Sequence, residues 1–217
     1  MNRDPVYKKG IIFDLDGTLV NTLPDIATSI NLARQAMGLE PLPPREITRH
    51  VGNGTRHLVQ KAIPVPEQDH ETAHDHYLAF YREHMLDQSC LNPGVAEILE
   101  HFSDRRLAVI TNKPQHQTDK ILAGLGVADR FCMVIGGDAL ERKKPDPLPL
   151  LHYMKAQGLT GDEVVMVGDG VNDIRAGRAA NVLAVGVTLG VSTRAELEAE
   201  GPAGIIEHMS GLLDWIC

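Results

Sequence analysis

The feature that most narrows the folds open to this chain is a set of short apolar runs, each bounded by turn residues: 10–13, 107–110, 131–135, 164–167 and 182–187. Runs of that length without polar alternation suit strands covered on both faces. Helical patterns lie at 95–102, 115–125, 148–157 and 174–180. Strands alternating with helices build crossover units, so the expected fold is α/β, a doubly wound and mostly parallel sheet with helices on both faces. The Pro145-Asp146-Pro147-Leu148-Pro149 stretch fits the entry to a helix rather than a linker.

One stretch breaks the alternation. From 21 to 90 no strand run stands out, and amphipathic helical segments fall at 24–37, 45–49, 55–62 and 68–86, separated by breaks such as Pro41-Leu42-Pro43-Pro44. A helical block inserted after the first strand reads as an all-helical cap domain over 21–90, leaving 1–20 and 91–217 as the catalytic core. A length of 217 residues suits one domain carrying such an insertion.

Composition limits the partners. Twenty-nine acidic side chains against 21 basic ones give a formal charge of −8, which argues against a broad nucleic-acid surface and requires a local positive centre for any anionic ligand. Cys90, Cys132 and Cys217 are an odd number with no C-x-x-C pattern, as expected of reduced thiols in the cytoplasm. The start, Met1-Asn2-Arg3-Asp4-Pro5, has no apolar signal region, and no stretch reaches membrane-spanning length. The expectation is a cytoplasmic protein without a membrane partner, either a monomer or a homodimer.

Chemistry concentrates where the apolar runs end. Run 10–13 leads into Asp14-Leu15-Asp16-Gly17-Thr18, run 107–110 into Thr111-Asn112-Lys113-Pro114, and run 164–167 into Gly168-Asp169-Gly170-Val171-Asn172-Asp173. In a parallel doubly wound sheet these ends share one edge, so Asp14, Asp16, Thr111 and Asp169 should converge there. Arg142-Lys143-Lys144-Pro145 supplies the missing positive charge, with Lys144 as the functional candidate and Lys143 as a solvated side chain. Asp14 and Asp16 face the same way if the strand continues; if it has ended, the Asp16 backbone carbonyl turns inward instead. Either arrangement suits a hard divalent cation such as Mg2+.

Three carboxylates, a cation, a hydroxyl and a lysine form a phosphoryl-transfer set. The metal and Lys144 would neutralise phosphate oxygens, and Thr111 with nearby N–H groups would bind the equatorial ones. Asp14 can attack phosphorus to give an aspartyl-phosphate, with Asp16 as acid and then base, kept neutral for the first step by crowding anions. Asp173 reads equally as a helix cap and as the holder of a metal-bound water.

Together these segments resemble the haloacid dehalogenase superfamily. Its four signatures are matched in order by Asp14-Leu15-Asp16-Gly17-Thr18-Leu19-Val20, Ile110-Thr111-Asn112, Lys144-Pro145-Asp146-Pro147 and Gly168-Asp169-Gly170-Val171-Asn172-Asp173. The resemblance implies a Rossmann-like core, a helical cap after the first strand and Mg2+-dependent phosphatase activity. It implies Asp14 as nucleophile and metal ligand, Asp16 as acid/base with its carbonyl on the metal, and Asp169 as the third protein ligand. Asp173 would support the site, and Thr111, Asn112 and Lys144 would hold phosphate. Val51-Gly52-Asn53-Gly54, Thr111-Asn112-Lys113-Pro114, Val134-Ile135-Gly136-Gly137-Asp138 and Lys144-Pro145-Asp146-Pro147-Leu148-Pro149-Leu150 are similar to phrases of bacterial phosphoglycolate phosphatases, which makes 2-phosphoglycolate the expected substrate. Asn21, where Asp often stands, and Gly170, where Ser is frequent, depart from that pattern.

Gly52-Asn53-Gly54 fits a turn that closes over the site, with Asn53 and Gly54 as substrate contacts and Arg56 gripping a carboxylate. Acidic residues outnumber basic ones in 21–90 by nine to six, so the cap is no general polyanion trap. His70, His74 and His76 read as a solvated cap face rather than a metal site, and the aromatic and Met side chains of 77–85 as core between cap helices. Other readings remain: a sugar-phosphate or pyrophosphate phosphatase, a phosphosugar mutase, or a phosphonate hydrolase, for which Lys61 is the only cap lysine. From another class, a receiver-type phospho-acceptor module would need neither the second Asp nor a cap.

Overall fold

A computed structural model describes residues 4–217; Met1, Asn2 and Arg3 of the expected core and N-terminal segment lie outside the described residues. The chain enters through β1 (Gly10–Phe13) and a short β2 (Val20–Asn21), then runs through α1 (Leu23–Ala36), α2 (Pro44–Thr48), α3 (Thr55–Ala62) and α4 (His70–His84). It returns at β3 (Cys90–Leu91), antiparallel to β2, so a two-stranded ribbon closes the helical segment at its root. There follow α5 (Val95–His101), β4 (Arg106–Ile110), α6 (Gln115–Gly124), β5 (Met133–Ile135), α7 (Leu148–Gln157), β6 (Val164–Gly168), α8 (Val171–Ala179), β7 (Leu183–Val187), α9 (Arg194–Ala199) and β8 (Gly204–Ile206).

Six of these strands form one sheet in the order β5-β4-β1-β6-β7-β8, all paired parallel. The chain builds outward from β1 on one side, crosses back, and builds outward on the other. That reversal leaves a crevice beyond the carboxyl ends of β1 and β6, where ligands bind in such sheets. Side-chain alternation explains the two-sided core. Ile11, Phe13, Val109, Val165 and Val167 belong to one apolar cluster, whereas Ile12, Ala108, Ile110, Val164 and Met166 belong to another, with Leu150, Tyr153 and Met154 of α7.

The first cluster continues into the helical segment. Ile26, Ile30, Leu58, Tyr77 and Tyr81 are buried together with Leu15, Leu19 and Val20, so helices and sheet share one apolar interior. The aromatic residues expected between helices are there: Tyr77 and Tyr81 stack with ring centroids 5.5 Å apart. Asp25, fully buried in the first turn of α1, accepts from the N–H groups of Gln88 and Ser89 and from Ser89 Oγ at 2.7–3.1 Å. This carboxylate ties the outgoing helix to the returning chain just before β3.

Several elements differ from those the apolar runs predict. The β2–β3 ribbon, α9 and β8 lie outside the expected runs. Helix α8 begins at Val171, three residues before the expected Ile174, because its cap is formed by Asp173 reaching back to the Gly170 N–H at 2.9 Å.

Candidate active site

Register places the site. Phe13 pairs with Val109 on one side and Val167 on the other, so the turns after β1, β4 and β6 emerge at one level. The Asp14 N–H still donates to the Val167 carbonyl at 2.9 Å, and the Thr111 N–H to the Ile135 carbonyl at 3.0 Å. Asp14, Thr111, Lys144, Asp169 and Asp173 therefore line one cavity, although they are spread over most of the chain.

Asp14 Oδ1 accepts from the Leu15 N–H at 2.8 Å and lies 3.0 Å from Lys144 Nζ. Lys144 is 2% exposed and also reaches Asp173 Oδ1 at 2.6 Å. Asp173 thus caps α8 with one oxygen and faces the site with the other. Asp169 is held from three sides: Thr18 Oγ1 donates to its Oδ1 at 2.8 Å, the Val191 N–H donates to its Oδ2 at 2.9 Å, and its own N–H donates to Thr18 Oγ1 at 3.0 Å. Two glycines let the chain close around that carboxylate. A Cβ at Gly190 would stand 2.0 Å from Asp169 Oδ2, and one at Gly17, where φ is +80°, would stand 2.6 Å from it.

Charge in this cluster is out of balance. Burial, then the charges of Asp14 and Asp173, pushes the Asp169 carboxyl up to about 8. Burial also raises Asp173, to about 6, against the opposing pull of Lys144. Burial works against the charge on Lys144, but Asp14 and then Asp173 outweigh it and hold its pKa above the ordinary lysine value. One ammonium among three carboxylates leaves room for further positive charge. Asp14, Asp169 and Asp173 each offer an oxygen within 4.8 Å of the others, the one such group found among the described residues. An all-oxygen donor set of this kind fits a hard divalent cation.

Asp16 stands apart from that group. The strand ends at Phe13, so the two-residue alternation no longer holds, and the Asp16 carboxylate turns to Thr22 Oγ1 at 2.6 Å and Lys113 Nζ at 2.9 and 3.2 Å. The expected crowding of Asp16 by anions is thereby corrected: its charged neighbour is a cation. Lys113 is 5% exposed, and its Nζ sits 4.5 Å from the centroid of the Tyr81 ring of α4. Lys113 and Thr22, which hold Asp16, and Thr18, which holds Asp169, support the site from positions that the spacing of the apolar runs does not single out.

Asn112 lines the cavity, but both hydrogens of its amide are committed, to the carbonyls of Gly52 and Lys144 at 2.8 Å each. Its side chain braces the core loop against the helical segment instead of offering donors to phosphate. The turn at 51–54 lies between α2 and α3 as expected, with positive φ at Gly52 and Gly54. It is latched to the core: Asn172 Nδ2 donates to Gly52 O at 3.2 Å and Asn53 Oδ1 at 2.9 Å, and Lys143 Nζ donates to Asn53 O at 2.9 Å. Lys143 is exposed, as expected of a solvated side chain, and in addition ties the turn to the core. Asn53 and Gly54 line the cavity, whose enclosed space is about 190 Å3.

Arg56 does not join them. It points to the exposed surface and pairs with Glu71, outside the cavity lining, while Arg49, which no motif or spacing marks, lines it. The histidines also part company. His70 Nε2 lies 3.1 Å from the Val65 carbonyl, His76 stacks on Phe80, and His74, expected on a solvated face, is 8% exposed with Nε2 3.0 Å from Thr55 Oγ1. Burial lowers the His74 pKa.

Comparisons with known proteins agree with this arrangement. A family profile described as haloacid dehalogenase-like hydrolase matches residues 11–187. A phosphoglycolate phosphatase of Chromobacterium violaceum is 37% identical over 215 residues, covering 94% of this chain and 96% of the relative. One from Photobacterium profundum is 36% identical over 216 residues, covering 95% and 94%. Among solved structures, a predicted phosphoglycolate phosphatase from Haemophilus somnus superimposes with a TM-score of 0.91 at 33% identity, covering 95% of this chain and 96% of that one. Among the described residues, no helix is long and apolar enough to cross a membrane.

Proposed function

Since the chain belongs to the haloacid dehalogenase-like hydrolase family and is a phosphatase of that family, we propose that it releases phosphate from a small phosphomonoester in a Mg2+-dependent reaction in the cytoplasm, with 2-phosphoglycolate as substrate and glycolate as product. The observation that carries this reading is the meeting of Asp14 and Lys144, 3.0 Å apart, at the floor of a small cavity roofed by the 51–54 turn. The names of the relatives support the substrate.

In this reading an Asp14 carboxylate oxygen attacks phosphorus, the bond to the leaving oxygen breaks, and Asp16, which takes up a proton from solvent when the entering substrate displaces Lys113, gives that proton to the leaving oxygen. Water then attacks the aspartyl-phosphate, Asp16 takes its proton, and phosphate departs with Asp14 regenerated. Asp16 serves in both steps once Lys113 yields the carboxylate to the entering substrate. Lys144 and Thr111 hold the phosphoryl oxygens in line with Asp14. A Mg2+ held by Asp14, the Asp16 carbonyl and Asp169, with Asp173 in support, would neutralise phosphate charge and raise the electrophilicity of phosphorus. Residues 21–90 act as a cap over 1–20 and 91–217, and Asn53 and Gly54 exclude water above the reacting atoms. Lys61, the cap lysine a phosphonate hydrolase would need, does not line the cavity.

Phosphate release from a panel of small phosphoesters tests this. The highest kcat/KM should fall on 2-phosphoglycolate, with turnover abolished by a chelator and restored by Mg2+. Release that is insensitive to chelator, or no release from any ester, contradicts the reading.

A further inference from the structure

Three cations line the cavity: Lys144, Lys113 and Arg49. Lys144 is paired with Asp14 and Asp173, and Lys113 with Asp16. Arg49, immediately after α2 on the cap wall, makes no ion pair among the described residues; its Nε donates to His50 Nε2 at 3.2 Å. Its two terminal nitrogens meet no acceptor there, in a chain that carries an excess of eight negative charges. Of the cavity's two remaining acids, Asp169 accepts from Thr18 Oγ1 at 2.8 Å and the Val191 N–H at 2.9 Å, and Glu196 accepts from the Thr193 N–H and Oγ1, both at 2.7 Å. Among the described residues, every other charged group facing this space has a partner, and the guanidinium fork is the one cation there without an anion.

We propose that Arg49 recognises a carboxylate on the leaving group, and so selects small phosphoesters that carry a second anion. This rests on the phosphatase reading above. The phosphoryl group belongs at the core wall beside Asp14 and Lys144, so the rest of the substrate extends toward the cap wall, where Arg49 sits. A planar fork of N–H donors matches a carboxylate with two parallel hydrogen bonds, which a lysine cannot reproduce. Space limits what lies between. About 190 Å3 is below the roughly 300–1,000 Å3 of sites for larger organic ligands. A leaving group of a few atoms ending in a carboxylate fits that room. Arg56, the more obvious cap arginine beside the turn, is already neutralised by Glu71 on the outer surface.

The test compares 2-phosphoglycolate with ethyl phosphate, which has the same carbon count and no carboxylate. In Arg49→Ala the ratio of kcat/KM for the two esters should fall about tenfold or more, mainly through KM for phosphoglycolate. Arg56→Ala should keep the wild-type ratio. Binding gives an independent readout: in the Asp14→Asn background, calorimetry should show phosphoglycolate bound about tenfold or more weakly when Arg49→Ala is added. An unchanged ratio and affinity in Arg49→Ala, with wild type still turning over both esters, overturns the role of Arg49 and leaves the phosphatase reading intact. Absence of wild-type turnover of either ester overturns that reading, and this inference with it.

Discussion

A single carboxylate shows how tightly the site is built. Asp169 sits between Thr18, the Val191 N–H and the bare Cα atoms of Gly17 and Gly190, which hold it on every side but the one that faces the cavity. A methyl group on Gly190 would overlap Asp169 Oδ2, a short anchored side chain that cannot swing away as a lysine tip would. Gly190→Ala should therefore raise the Mg2+ concentration for half-maximal activity by roughly tenfold to a hundredfold, the usual cost of disturbing a ligand's support. An activation curve that overlays the wild type would contradict this. Asp14, Asp16 and Asp169 could be picked out beforehand because each follows an apolar strand, and Lys144 because the rigid Pro145-Asp146-Pro147 comes straight after it. Arg49 and Lys113 could not, since what distinguishes them is which charges lie near them in space. Arg56 looked the better ligand until Glu71, fifteen positions on and one helix away, took its charge.

At the scale of elements, the legible part of the fold was the buried part. Strands covered on both faces carry no polar alternation to blur them, and β1, β4 and β6 read clearly for that reason. β8 is three residues with two isoleucines at a sheet edge, and α9, Arg-Ala-Glu-Leu-Glu-Ala, shows one buried leucine, so neither leaves a periodic trace. The β2–β3 ribbon is two residues a side and is fixed by the closing of the helical insertion, not by its own composition. Asp25 makes that closure specific. Its carboxylate satisfies two backbone N–H groups and a hydroxyl in the interior, all of which lose their acceptor in Asp25→Ala. The loss should be about 2–3 kcal/mol, or roughly 4–12 °C in Tm for a chain of this size, with Asp25→Asn less affected because it keeps one acceptor oxygen. A thermal melt of the alanine variant within a degree of wild type would show that the return of the chain is held elsewhere.

Across the whole molecule, the site is a place where the fold gives up stability for charge. Asp169 and Asp173 titrate above their unfolded values, so between about pH 4 and about pH 8 the folded chain binds more protons than the unfolded one, and their contribution to stability declines as pH rises. His74, lowered by burial, pulls the opposite way through its own range. The informative quantity is therefore the difference between chelated and Mg2+-loaded protein, in which such common contributions cancel. That increment in Tm should grow from pH 5 to pH 8; an increment that shrinks would contradict the pairing of a cation with these carboxylates. In the proposed reaction Asp14 bonds to phosphorus during turnover. Acid quenching with Mg2+ and excess 2-phosphoglycolate, followed by peptide mass spectrometry, should find one added phosphoryl group on the peptide carrying Asp14 and none in Asp14→Asn, which should also release no phosphate. Undiminished phosphate release by Asp14→Asn, or a phosphoryl group placed on another residue, would contradict it.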